Sequence, residues 1–445
     1  MTNNFTILSH FEEFVETLGG KEKGMQTAMA KPHSHTNYDG VVLRLLTTAA
    51  YTSTSYLNVL RAMGSDFEAA TGARVQIDAI SEYHGWYYLL PLARVDADSD
   101  EPRFDLFLDD HEFQYSLLPI LLPLDDLIEE FNYDMSGFLN PIHRYGHILP
   151  GRSTQCYGLP FRARVPMVFY RNDWIDTFPT TWEEFDRVLA ENTGGQRYGL
   201  GFEGAHFKHP FCRYEELSKM FFARYWSLGD PLLTPDWKPL INSDKGVAAL
   251  TMLKRQIQQY APPDVMNWTP TALGAAFADG RLAVVESIAD SVVPLARDAA
   301  RSEIVGRWSV GLYPGSGAAF FKSHRMSIFK HSKHPKAAFA FAAYCTGNEG
   351  AKRLPFYDSP ARKAVLTAPE AIADEPNLPH MIEAMDRGIG WVPGVRSWLH
   401  LWEAVWYALA LYMPGYASAK AALDMTASKW ERVLAKQPPD WEYRE

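Results

Sequence analysis

The stretch Tyr157–Trp174, YGLPFRARVPMVFYRNDW, decides how the rest of the chain divides. It begins with a turn dipeptide, carries Pro160 and Pro166, and ends in the apolar run Met167-Val168-Phe169-Tyr170 before the polar Arg171-Asn172-Asp173. Proline lacks a backbone N–H, so neither one continuous helix nor a central strand can run through it. The segment is extended chain that turns a corner. At 445 residues the protein exceeds the roughly 250–300 at which a single core stops growing. The corner therefore reads as a crossing between two lobes, and the functional question becomes what occupies the cleft.

Composition narrows the classes. A hydrophobic content of 47% with 22% charged residues is that of a globular protein with a large core. The net charge of −10 is spread along the chain with no basic stripe, which argues against nucleic acid or an anionic membrane as the main partner. Cys156, Cys212 and Cys345 are widely spaced and form no CxxC, so they read as buried thiols rather than a disulfide or zinc framework. No run approaches the ~20 apolar residues of a membrane span. The N-terminal MTNNFTILSHFEEFVETLGGKEKG has acidic residues where a secretory signal has a basic region, so it is expected to carry no export signal. Residues 1–40 read as an appended segment.

From Val41 the pattern becomes regular. Val41–Leu46 reads as a buried strand. Leu57, Leu60, Met63 and Phe67 mark a helix stopping at Gly72, and Ala73–Ile80 alternates as a second strand. That βαβ opening implies a parallel sheet. Phe104–Leu108 is a further strand running into Asp109-Asp110-His111-Glu112. Ligands of open α/β sheets bind beyond the carboxyl ends of strands, so the loops 47–54, 81–87 and 109–115 are placed at one rim with Tyr51, Tyr83, Trp86 and Asp109. After the crossing, Thr181-Trp-Glu-Glu184 is a capping box, Val247 to Tyr260 marks an amphipathic helix, and Thr269-Pro270 opens another that stops near Gly280. Leu282–Val285 is a strand ending in Glu286, Met326–Phe329 another strand, Pro335–Thr346 a helix, and the last third is mostly helical.

Catalytic readings find little support. Asp109, Asp110 and Glu112 could supply a carboxylate pair for glycoside hydrolysis, but adjacency in sequence does not give a separation across a bond. His143/His147 and His331/His334 have spacings met in metal sites and adjoin proline-rich loops. No phosphate-cradling or nucleophile-elbow motif is present. No cofactor is implied.

Taken in order, LRLLTTAAY, FEAATGARVQID, FDLFLDD with LLPLDDLIEEF, YGLPFRARVPMVFYRNDW, PTTWEEF, Tyr260–Pro263 with Trp268, AFADGRLAVVES, IFKHSKHPKAAFAFAAYCTGNEGAKRL, SPARKAV and SAKAALDMTASKW resemble the sugar-type (family 1) extracellular solute-binding proteins of ABC importers over about residues 41–435. The resemblance implies an α/β, two-lobe periplasmic-binding-protein-like fold (type II-like), each lobe a mixed sheet flanked by helices, joined by a hinge. It implies crossings near Phe161–Val165 and Ser323–Met326. Residues 41–161 with 326–375 then form lobe one, and 162–325 with 376–445 lobe two. It further implies ligand contacts at Tyr51, Tyr83, Asp109, Trp268 and Glu286 and in the loop before Met326, with Asp110, Arg164, Arg325 and Trp391 as further candidates. Aromatic faces and carboxylates are the groups that hold sugars; core packing is the competing reading for each aromatic.

Two departures from the family pattern concern charge. Ser323-His324-Arg325 stands where a glycine pair and an apolar or aromatic residue are usual, and Arg162 and Arg164 occupy a crossing that is usually small or apolar. Arginines there open the possibility of an anionic sugar derivative, against interlobe salt bridging. The implied function is capture of a carbohydrate by hinge closure and delivery to the membrane permease of an ABC importer. The protein would act as a non-catalytic monomer in a periplasmic or extracytoplasmic compartment. The alternatives are a cytosolic sugar sensor reusing the fold, or a carbohydrate-active enzyme.

Overall fold

The computed structural model of the chain describes residues 37–49, 54–110, 116–140, 155–205, 214–229, 231–389 and 397–436. Its strands are, in chain order, Val42–Ala49 (β1), Arg74–Ser81 (β2), Leu106–Asp110 (β3), Leu159–Arg164 (β4), Met167–Tyr170 (β5), Tyr198–Phe202 (β6), Leu282–Ser287 (β7), Ser309–Gly311 (β8), Ala319–Phe320 (β9), Lys322–Ile328 (β10) and Gly388–Ile389 (β11).

They form two main sheets. The first has the order β2-β1-β3-β10-β4, the second β6-β7-β5-β8, and β11 pairs with β9 in a small ladder. The expected βαβ opening is present. Helix Thr54–Thr71 buries Leu57, Leu60, Met63 and Phe67, and β1 runs parallel to β2 with Val42 opposite Arg74. Gly72 ends the helix at φ 80°, and a Cβ there would stand 2.9 Å from the Asp39 Cα. Only glycine meets both demands without strain. Along β1 and β3 the alternation is strict: Leu43, Leu45, Leu106 and Leu108 enter one core, Leu46 and Phe107 the other. The larger core covers the second sheet and is closed by helices Trp398–Tyr412 and Ala419–Lys436, with Trp430 Nε1 donating to Leu401 O at 2.7 Å.

The crossings differ by a few residues from those expected. β4 stays in the first sheet as far as Arg164, opposite Lys322, so only Val165-Pro166 separates it from β5 in the second sheet. Pro166 cannot extend the ladder. β4 is an edge strand, where Pro160 is tolerated, and the register slips between His324 and Arg325 to accommodate it. Ser323–Met326 is likewise interior to β10 rather than a crossing.

The segment 81–87 is not the rim loop expected after the second strand. β2 passes directly into helix Glu82–Ala97, which continues through Pro91. Leu89, Leu90 and Ala93 are buried there, and packing of that face outweighs the unfavourable propensity of glycine and proline. The predicted capping box is formed: Thr181 accepts from the Glu184 amide, and Glu184 accepts from the Thr181 amide, opening helix Trp182–Glu191. Cys156 and Cys345 are buried free thiols; Cys212 and the pair His143/His147 lie outside the described residues.

Candidate functional site

Strand direction brings the charged ends of the first sheet to one rim. β3 ends in Asp110, β4 ends in Arg164 and antiparallel β10 begins at Lys322, with His324 opposite Asp110 on one side and Arg162 on the other. From the second sheet the facing rim carries Glu286 and Ser287 at the end of β7. Asp290 stands in the first turn of helix Ala289–Ala296, and helix Glu215–Ser227 supplies Glu215, Glu216, Lys219 and Arg224.

These side chains are buried, Arg164 only partly, and they engage one another. Lys322 Nζ lies 2.8 Å from Asp110 Oδ2 and 3.5 Å from Glu215 Oε1, and 4.5 Å from the Trp402 ring. Lys219 pairs with Glu215 at 3.2 Å and with Glu216. Arg162 reaches Asp358 at 3.4 Å and Asp290 at 4.0 Å, and its guanidinium lies 4.7 Å from the Tyr56 ring centre. Arg164 approaches Asp290 at 3.6 Å. Arg224 grips Glu286 through both terminal nitrogens, at 2.6 and 3.0 Å, and donates from Nε to Gln256 at 2.8 Å.

Electrostatics follow from the geometry. Burial alone would raise the Asp110 carboxyl, but Lys322 and His324 overcome it and hold it well below the ordinary carboxylate range. His324 is pushed down to about 3, first by burial and then by Arg162, against the opposing pull of Asp110. It is thus a neutral imidazole near pH 7: Arg162 Nε donates to Nδ1 at 3.2 Å, which leaves the proton on Nε2, 3.0 Å from Asp110 Oδ1. Burial also lowers Lys219, and Glu216 and Glu215 more than restore it, so its ammonium stays above the usual lysine range. Burial, with Glu286 next, pushes the Tyr313 hydroxyl well above the usual tyrosine range.

Of the sequence candidates, Asp110, Arg164 and Glu286 stand at these facing rims. Asp109 is inside β3, its backbone opposite Arg325, and Tyr83 is in the first turn of helix Glu82–Ala97. Arg325 is buried and acts on the Cys156 thiol. Trp268 is 9% exposed, closes the short turn Val265–Asn267 and has Arg281 5.7 Å from its ring centre. Tyr51 and Trp391 lie outside the described residues. Sequence reasoning missed Lys322, Glu215, Lys219, Arg224, Asp290 and Asp358. The one legible signal was in EELSKMFFARYWS, where an i,i+4 acid–base pair and Arg224 sit among residues too apolar for a solvated face. Among the described residues, no group of three or more His, Cys, Asp or Glu could hold a metal ion, and His331 instead meets the Phe104 carbonyl at 2.9 Å.

Residues 62–380 match the sequence profile of the bacterial extracellular solute-binding proteins. A curated relative, a probable amino-acid ABC transporter periplasmic-binding protein of Sinorhizobium fredii, is 20% identical over 373 residues, 81% of each chain. Similar solved structures include an ABC transporter solute-binding protein of Agrobacterium radiobacter in complex with ribitol (TM-score 0.73, 20% identity, 89% of this chain and 100% of that one). A maltose-bound T. maritima protein has TM-score 0.74 and 18% identity over 88% of this chain and 100% of its own. A Thermotoga lettingae solute-binding protein bound to tagatose has TM-score 0.71 and 17% identity over 88% and 100%. These likenesses show a two-lobe periplasmic-binding-protein fold.

Proposed function

Because the chain belongs to the bacterial extracellular solute-binding protein family, we propose that it binds a neutral sugar or polyol where the charged rims of the two sheets meet, and delivers it to the permease of an ABC importer. The observation that carries the neutral ligand is charge matching. Arg162 and Arg164 are met by Asp290 and Asp358, Lys322 by Asp110 and Glu215, and Arg224 by Glu286. An anionic derivative would have to break one of these buried pairs, leaving a charge uncompensated. At the same place Arg162 Nη2 and Asp290 Oδ1 have no hydrogen-bond partner among the described residues. A donor on β4 of the first sheet and an acceptor on the helix that follows β7 of the second suit the hydroxyls of a polyol.

The ligands named for the solved relatives, ribitol, maltose and tagatose, support the same class. Asp110, Arg164, Lys322 and Asp290 are the proposed contacts, with Tyr51, Tyr83, Asp109 and Trp391 as the sequence-based additions. Trp268, Glu286 and Arg325 are proposed as supports, because each is already buried or paired. The proposed lobes are the units built on the two sheets, meeting at Val165-Pro166 and ahead of β10. No chemistry on the ligand and a monomeric state belong to this reading.

The test is a thermal-shift and calorimetry panel of pentitols, hexoses, maltodextrins, sugar phosphates and amino acids. The expected result is stabilisation by a neutral polyhydroxy compound that is recovered unchanged. A response to sugar phosphates alone, to amino acids alone, or turnover of the ligand would overturn it.

A further inference from the structure

Every strand of the second sheet brings an arginine to the same end of the sheet. Arg171 follows β5, Arg197 precedes β6, Arg281 precedes β7, and Arg307 stands two residues before β8. The register aligns them: Tyr198 is opposite Leu282, Tyr170 opposite both Val284 and Ser309, and the Arg171 amide bonds the Ala283 carbonyl at 2.9 Å. β5 starts beside the crossing, so its far end, and this row with it, points away from the cleft.

The row is preorganised. The guanidiniums of Arg171 and Arg197 lie 4.1 and 4.2 Å from the centre of the Trp174 ring, which holds both in place. Arg171 is fixed further by both Asp173 oxygens at 2.7 Å, and Arg281 pairs loosely with Asp279 at 3.5 Å. The Asp173 carboxyl is held below the usual range first by its hydrogen bonds from Arg171 and, more weakly, by the charge of Arg307. Arg197 and Arg307 are exposed and make no ion pair among the described residues. With strands about 4.8 Å apart, the row spans about 14 Å, too wide for one small anion.

We propose that this arginine row, stacked on Trp174 at the pole of the second sheet, is a docking surface for an extended acidic polypeptide segment. Carboxylates spaced along an extended chain match guanidiniums spaced along a sheet end; buried Arg171 anchors the row through Asp173, and the exposed Arg197 and Arg307, which no ion pair within 4 Å takes up among the described residues, offer their guanidiniums on a protein whose net charge is −10. An anionic bilayer is the other surface with such charges. Contact there would turn the cleft away from the membrane, an argument that rests on the importer reading above.

The experiment is fluorescence anisotropy of a labelled hexa-aspartate peptide with the full chain at about 50 mM and about 500 mM salt. Saturable binding that weakens with salt is expected. Arg197→Gln with Arg307→Gln should weaken it about tenfold or more, with the melting temperature and sugar response kept. Absence of binding, or equal binding by the double variant, overturns the proposal, as does co-sedimentation with phosphatidylglycerol vesicles in place of peptide binding. A missing sugar response with intact peptide binding would overturn the transport reading and leave the docking surface standing.

Discussion

Across the ladder between β3 and β10, Nε2 of His324 lies 3.0 Å from Oδ1 of Asp110, and both side chains are buried. The contact joins a neutral imidazole to a carboxylate, because Arg162 occupies the other ring nitrogen. A charged histidine is excluded here by burial and by two arginines.

Acid stability follows from that contact. His324 is depressed to about 3 in the folded chain, against an ordinary value near 6.5, so between those values the unfolded chain binds the extra proton. Stability therefore rises with pH through this window and falls as pH drops from about 6.5 towards 3, by up to the order of 4 kcal/mol. Asp110, also depressed, adds to the loss at the acid end. Urea titrations at pH 7 and pH 4.5 should show the slope, and His324→Gln should flatten it. An unchanged slope in that variant would place the acid sensitivity elsewhere.

Lys322→Met should remove the one ammonium shared by Asp110 and Glu215. Glu215 keeps Lys219, but buried Asp110 loses its ammonium partner, a loss on the order of 3–5 kcal/mol. Adding Asp110→Asn should recover part of it. Denaturant midpoints of the three variants read this directly, and a silent Lys322→Met would mean that the pairs roughly break even.

Arg224→Met should also cost about 3–5 kcal/mol, since it strands Glu286 with both side chains fully buried. The double variant Arg224→Met with Glu286→Leu should lie close to wild type in stability and keep its sugar affinity. Loss of affinity in that folded double variant would return Glu286 to the ligand contacts.

Trp268→Ala should lower stability by about 3–5 kcal/mol, the usual cost of emptying a buried tryptophan site. Differential scanning calorimetry measures that loss. Titration of the folded variant should show affinity within about threefold of wild type, and a larger drop would restore the ring to the ligand face.

Much of the fold was legible because its signals are local. The strand expected at Val41–Leu46, the stop at Gly72, the capping box Thr181–Glu184 and the proline corner at Pro166 each act over a few residues, through apolar patterning, left-handed backbone, hydrogen-bond pairing or a missing N–H. Helix Glu82–Ala97 was not legible, since Gly85 and Pro91 speak against a helix until the sheet is there for Leu89 and Ala93 to pack on.

The charged site divides in the same way. By itself the sequence determined that acidic residues end strands β3 and β7 and that arginines enter the crossing, because strand ends and corners are read from neighbours in the chain. Only the tertiary structure decided that Lys322 meets Asp110 and Glu215, that Arg162 meets Asp290 and Asp358, and that Arg224 takes Glu286. Those partners are far apart along the chain, and whether a buried charge has a counter-charge within about 4 Å depends on which strands pair and which helices pack beside them. No local pattern records that.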